Sequence, residues 1–225
     1  MKVFFARILL ISLSLFLAVQ LLVFVCLLWW QHFPVNHSMF MRTYLAKSDR
    51  TTELQHQTVS YSEISVHIKR ALIAGEDAKF MYHHGFDWDG IRAALAKNDK
   101  KGRVVAGGST ISQQLVKNLF LSNGRSYIRK GEEAIITWMM ERMWSKQRIL
   151  EVYMNVIEFG DGIYGVEAAS QFYYGKSAAQ INAGEAAKLT GLVPNPRYYQ
   201  DHSKDRKMLR RVSVIRRYMG YSAIP

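Results

Sequence analysis

From Ile8 to Trp30 the chain carries no charged residue. At about 1.5 Å per residue, a helix over this run is long enough to cross the hydrocarbon core of a bilayer, and that dictates the organisation of everything after it. Lys2 and Arg7 precede the run and Trp29-Trp30 close it. By the positive-inside rule and the aromatic belt, the N-terminus is expected in the cytoplasm and the rest of the chain outside. Signal peptides have shorter apolar regions, and no Ala-x-Ala-like exit follows. The reading is therefore an uncleaved anchor, with a cleaved signal peptide as the alternative. The expected organisation is residues 1–7 as a cytoplasmic N-terminus, 8–30 as the transmembrane anchor, 31–58 as a juxtamembrane connector, and 59–225 as one extracytoplasmic domain, long enough to bury its own core.

A formal charge of +12 admits nucleic acid, an anionic membrane surface or a phosphate-bearing substrate as partner, and a domain outside the cytoplasm favours the last two. Cys26 is the only cysteine and lies within the span, so neither a disulfide framework nor a CxxC metal site is available. The sequence has no glycine-rich Walker loop, zinc-finger spacing, internal repeat or low-complexity tract.

Beyond the connector, the spacing predicts an all-α domain with no stretch that alternates like a strand for long. Ser60 to Glu63 reads as a capping box, and Ile64, Ile68, Ala71 and Leu72 fall on one face, so a helix should run directly into Glu76. Glu76 then stands at the negative end of that helix among Phe80, Tyr82 and Phe86, which would raise its pKa and suit a general base. A solvated Glu-Asp pair is the plainer alternative. Asp87 can cap a second helix from Trp88 to about Asn98, with Ile91, Ala94 and Leu95 apolar. The basic Lys97 to Gly102 piece after it reads as a mobile flap on anionic headgroups or as an ordinary loop.

Ser109 follows two glycines as the expected N-cap of a helix whose stripe is Ile111, Leu115, Val116, Leu119 and Phe120. Thr110, Gln114 and Lys117 share another face, a row of donors suited to an anionic or sugar ligand. Arg129 and Glu133 stand at i and i+4 on a long helix through Met143, and periodicity alone makes them a surface ion pair. Another helix starts at Ser145 and ends near Gly160. Shorter ones follow at Gly165–Gly175 and Glu185–Leu192, the latter stopped by Pro194-Asn195-Pro196. From Ser203 to Tyr218, Met208, Leu209, Val212 and Ile215 point inward and the arginines mostly outward, as in a basic amphipathic helix.

Four motifs in this order carry a resemblance: Glu-Asp-x-x-Phe-x-x-His-x-Gly at Glu76–Gly85, Gly-Gly-Ser-Thr-Ile-Ser-Gln-Gln at Gly107–Gln114, Arg-Lys-x-x-Glu at Arg129–Glu133, and the stretch Ile149–Asn155. Together they resemble the peptidoglycan glycosyltransferases of family 51 over about Thr58 to Arg197. One departure is Ser112, where the family usually has Thr. The chain looks like the stand-alone form of the domain, because no Ser-x-x-Lys of a fused penicillin-binding transpeptidase occurs. The resemblance implies a lysozyme-like, all-α large lobe with a small membrane-facing jaw at Trp88–Val105. It also implies polymerisation of lipid II into β-1,4 glycan strands, with inversion at the anomeric carbon and release of polyprenyl pyrophosphate.

In that family pattern Glu76 is the general base and Glu133 the second catalytic carboxylate, orienting the cations or a metal. Lys117, Arg129 and Lys130, with Gln114 and Thr110, meet the pyrophosphate. Asp77, Phe80 and His83 shape the base's pocket, and Ser109, Gln113 and Asn118 complete the substrate-binding positions. The less paired carboxylate, Glu76, is expected to be the base. The resemblance further implies a magnesium or manganese ion without an identifiable ligand set, no organic cofactor, lipid II and the lipid-linked strand as substrates, the bacterial inner membrane as location, wall-synthesis or cell-division proteins as partners, and no nucleic acid. Two rivals stand beside it: a lysozyme-like hydrolase, which needs a protonated acid over its leaving oxygen, and an inert membrane-anchored scaffold.

Overall fold

The computed structural model describes residues 1–47, 53–103, 107–122, 124 and 126–225, with Lys2 without its side chain. Helix α1 runs from Lys2 to Trp30 without a break across the first charges, since Lys and Arg are good helix formers. It is the one helix among the described residues long and apolar enough to cross a membrane. Most of its apolar side chains are exposed, as lipid contact requires, but Val23 and Leu27 are buried in the same core as the rest of the chain. Trp144 Nε1 donates to Leu27 O at 2.9 Å, and Arg148 donates to Trp30 O at 2.7 and 3.0 Å and to Phe33 O at 2.5 Å. These donors satisfy carbonyls that the helix end would otherwise leave bare, and so fix α1 to the domain.

The described residues of the connector are themselves folded. Val35 is buried, α2 (Met39–Lys47) buries Met41 and Tyr44, and β1 (Gln55–His56) enters a small sheet. β1 pairs in parallel with β3 (Ile163–Tyr164), which pairs antiparallel with β2 (Glu158–Gly160). The sheet is too short to alternate legibly, so the mainly helical class holds with this small addition.

Most of the remaining helices begin at a polar cap. The capping box at Ser60 closes a 3₁₀ turn, Tyr61–Glu63, and α3 (Val66–Glu76) starts separately with Ser65 accepting from His67 N–H. Asp87 caps α4 (Trp88–Lys101) by accepting from Gly90 N–H, and Gly102 closes it in the left-handed region. Ala94 is the buried residue of α4, whereas the apolar Leu95 is 62% exposed. The N-cap of α5 (Ile111–Phe120) is Thr110 rather than Ser109, with Gln113 completing a capping box. α6 spans Tyr127–Met143, and α7 (Lys146–Val156) ends before Gly160 because β2 follows. α8 (Val166–Tyr174) and α9 (Ala183–Leu192) come next. Pro196, read as part of a stop, also occupies the first turn of α10 (Pro196–Asp201), where its missing N–H costs nothing. α11 runs over Arg206–Tyr218 from an Asp205 cap.

Two packing groups place the site: α3 with α9 and α11, and α5 with α6 and α7. Gly75 makes the first group close, since a Cβ there would lie 2.6 Å from Thr190 Cγ2 and 3.3 Å from Arg211 Nη2.

Candidate active site

Glu76 is the last residue of α3, as the periodicity implied, but its surroundings differ from the expected aromatic nest. Phe80 is fully buried beneath Lys146, Tyr82 is 78% exposed, and Phe86 stacks on Trp88. Glu76 instead pairs with a cation from the far end of the chain. Arg211 Nη2 donates to its Oε1 at 2.5 Å and to Gly75 O at 2.8 Å. The other oxygen, Oε2, accepts from Gln114 Nε2 at 3.0 Å, and Tyr153 OH donates to Gln114 Oε1 at 2.9 Å, which fixes how the amide is turned. Burial pushes the Tyr153 phenol well above its ordinary value, so it stays a donor. Both carboxylates are thus paired, Glu76 by Arg211 and Gln114 and Glu133 by Arg129 and Lys130, so Glu76 is not the plainly less paired of the two.

Glu133 is 2% exposed on α6. Arg129 Nη1 reaches its Oε2 at 2.9 Å and Lys130 Nζ its Oε1, so the ion pair that spacing placed on the surface is a buried carboxylate held by two cations. Arg129 Nε is buried with no partner among the described residues. Lys117 Nζ lies 5.3 Å above the Phe40 ring, and Asn118 Nδ2 donates to Gln114 O at 2.8 Å. A cleft of about 590 Å³ is lined by Glu76, Ser109, Gln113, Gln114, Lys117, Asn118, Arg129, Lys130 and Glu133, from three separate motifs and the rest of α5.

The other singled-out residues serve the frame. Asp77 caps α3 and is buried, and its carboxylate accepts from His83 Nε2 at 3.0 Å and from Ile111 N–H at 3.0 Å, tying the first motif to the start of α5. Gly85 N–H donates to His83 Nδ1, which leaves Nε2 as the protonated nitrogen facing Asp77. Thr110 is buried and donates to Gly85 O at 2.7 Å, a carbonyl set by the left-handed φ of Gly85. Its hydroxyl is therefore committed to the turn rather than aligned with Gln114 and Lys117.

Phe40 of α2 and Ile157, Glu158, Pro194 and Pro196 complete the cleft wall. Burial raises the Glu158 carboxyl above its ordinary value, against the opposing pull of Arg197 Nε at 2.7 Å. Sequence reasoning missed Arg211, Tyr153, Glu158 and Phe40. Tyr153 alone had a signal, since it lies inside the fourth motif. Among the described residues no three His, Cys, Asp or Glu side chains are grouped to hold a metal ion, and both Glu133 oxygens are engaged by cations. Among the described residues the cleft therefore offers no complete protein ligand set for a divalent ion.

A helical frame presenting carboxylates, cations and amides to one cleft defines a protein built to handle a polar, anionic ligand. The chain belongs to the transglycosylase family: the model described as Transglycosylase matches residues 42–220, which takes in the later part of the connector and α11 with Arg211 as well as the four motifs. It is 57% identical over 225 residues to a protein of Acinetobacter baumannii named biosynthetic peptidoglycan transglycosylase, with 100% of both chains covered. Relatives of the same name in Acinetobacter baylyi and Methylobacillus flagellatus are 55% identical over 225 residues and 51% over 227, covering 100% of this chain and 100% and 99% of theirs.

Proposed function

We propose that this cleft polymerises lipid II into linear β-1,4 glycan strands for bacterial wall synthesis, releasing polyprenyl pyrophosphate. The observation that supports it most is that Glu133 and Glu76 line one cleft in different company. Glu133 stands among Arg129, Lys130 and Lys117, donors that match the charge developing on a pyrophosphate leaving group. Glu76 is aimed by Arg211 and Gln114. Each carboxylate oxygen has a second lone pair, so Glu76 can still accept the proton of the acceptor sugar's 4-hydroxyl as that oxygen attacks the donor's anomeric carbon and the carbon–pyrophosphate bond breaks. A hydrolase would need an acid over the leaving oxygen. Glu133 accepts from Arg129 and Lys130 with both oxygens, so what faces the leaving group is a pair of cations. A magnesium or manganese ion would arrive with the donor's pyrophosphate, and no step here depends on it.

α1 serves as a single-pass anchor, with Lys2 and Arg7 on the cytoplasmic side of the inner membrane and the cleft outside it. Incubating the purified full-length chain with lipid II tests the reading. Polymer is the expected product. Degradation of finished glycan would favour a hydrolase, and neither outcome would favour a scaffold.

A further inference from the structure

The cleft holds a third carboxylate that no step above uses. Glu158, the first residue of β2, lines it beside Ile157, Pro194 and Pro196. Its side chain is 17% exposed, whereas that of its partner Arg197 is 54% exposed. Arg197 Nε donates to Glu158 Oε1 at 2.7 Å, its Nη1 stands 3.4 Å from Asp161 Oδ1, and its guanidinium lies 5.3 Å from the Tyr44 ring. Glu158 Oε2 accepts from no donor among the described residues. The register of β2 on β3 shifts between Glu158 and Gly160, an irregularity of the kind that re-aims a side chain. A carboxylate has thus been drawn out of water, against its own charge, with one oxygen left unbonded at a cleft. A clip between β2 and α10 would not require that, because Arg197 has Asp161 to pair with at the surface.

We propose that Glu158 is a specificity-determining residue that accepts, through Oε2, a hydrogen bond from the acceptor saccharide, an inference that rests on the function proposed above. A pyrophosphate diester is ionised at neutral pH and has acceptors only, so a carboxylate repels it and gains nothing from it. The donors that a lipid-linked saccharide can bring to Oε2 are its hydroxyls and its acetamido N–H. Glu158 therefore marks where sugar lies rather than phosphate. Of the two saccharides in the reaction, the donor is drawn by its pyrophosphate to Arg129, Lys130 and Lys117, while the acceptor presents an uncharged end to Glu76. The wall that carries Glu158 is joined to the Glu76 side of the cleft. α9 packs on α3 where Thr190 meets Gly75, and the chain leaving α9 brings Pro194 and Pro196 to the cleft next to the Arg197 that holds Glu158. Ile157 and the two prolines offer an apolar surface to the C–H face of a sugar ring, and a charged acceptor beside them fixes how the ring is turned.

The test uses the full-length protein in detergent, a saturating lipid-linked tetrasaccharide as donor, and a prenyl-linked disaccharide as acceptor. The acceptor carries a methylene phosphonate at its anomeric carbon, so it cannot serve as donor. Glu158→Gln keeps the shape and an acceptor for Arg197 but removes the charge. It should raise the acceptor KM about tenfold, the worth of a charge-assisted hydrogen bond, with donor KM, kcat and melting temperature nearly unchanged. Acceptors whose terminal sugar lacks the 3-hydroxyl, lacks the 6-hydroxyl, or bears an acetoxy in place of the acetamido group then identify the bonded atom. One of them should raise the wild-type KM about tenfold and cause no further loss in Glu158→Gln, because variant and analogue remove the same bond. An unchanged acceptor KM in Glu158→Gln, with or without a lowered melting temperature, would overturn the proposal and leave Glu158 as a clip. Losses that add for every analogue, or a loss in donor KM alone, would also overturn it. If the wild type elongates no acceptor, the activity reading fails. Calorimetric binding of the phosphonate acceptor still decides the role of Glu158, since Glu158→Gln should weaken it about tenfold and equal binding would overturn the proposal.

Discussion

Glu76 and Glu133 differ less in how much they are paired than in what pairs them. Arg211 and Gln114 reach Glu76 from two different helices, so the fold supplies orientation where the local sequence promised only an aromatic setting. Glu76→Gln keeps the shape and an acceptor for Arg211 but removes basicity. Lipid II turnover should drop about 10²- to 10⁴-fold with little change in melting temperature. Glu133→Gln strips Arg129 and Lys130 of their buried counter-charge, and should cost about 3 kcal/mol of stability together with a raised donor KM. Polymerisation by both variants over a pH series, beside thermal melts, separates the roles. Near-normal turnover in Glu76→Gln would move the base elsewhere, and loss of the acid limb in Glu133→Gln would reverse the assignment. Thr110 belongs to the frame: Thr110→Ala should lower the denaturation midpoint by the equivalent of about 1–2 kcal/mol, and Thr110→Ser should recover most of it.

Among the elements, α7 links the anchor, the sheet and the cleft. Its first turn carries Arg148, which holds the end of α1. Its middle carries Tyr153, which orients Gln114, and its last turn carries Asn155, which bonds Val59 N–H and O at 3.0 and 2.9 Å. Arg148→Ala should free the end of α1 while leaving the cleft intact. Turnover on lipid II in bilayers should therefore drop severalfold with turnover in detergent nearly unchanged, and an equal loss in both would place Arg148 in the frame of the cleft instead. β1 is tied to α7 by His56 Nε2 and Asn155 O at 3.0 Å, and burial holds the His56 imidazole below its ordinary 6.5. A lowered folded value means the neutral form stabilises the fold. That contribution is intact above pH 6.5 and is lost as pH falls through the lowered value. His56→Gln should therefore flatten the decline in melting temperature between about pH 7 and pH 5.

At the scale of the whole molecule, the anchor and the domain share one core. Deleting residues 1–18 should leave the domain's melting temperature unchanged. Deleting residues 1–30 also removes Val23 and fully buried Leu27, so a domain of near-normal circular dichroism should melt lower, by the equivalent of about 2–5 kcal/mol. Equal melting of the two truncations would show that the α1 contacts add nothing to the core. The long apolar helix at the N-terminus, the helical class and the motifs of the cleft were legible in the sequence, because each is written in residues a few positions apart: an uncharged run, a 3.6-residue stripe, a cap before it. The caps at Ser65 and Thr110 were missed only because a neighbouring hydroxyl offered the same local signal. Arg211 was illegible for a different reason. It lies 135 residues from Glu76, on a helix whose basic residues read as a solvated face, at the flank of the stripe formed by Met208, Val212 and Ile215. Whether it meets water or a carboxylate is settled by where α11 crosses α3, and that approach exists because Gly75 has no side chain to block it. The sequence by itself determined the carboxylates, amides and motif cations of the site, Glu76, Glu133, Gln114, Arg129 and Lys130. The tertiary structure decided which of them are paired, since charge pairing between distant segments depends on distances that no local periodicity encodes.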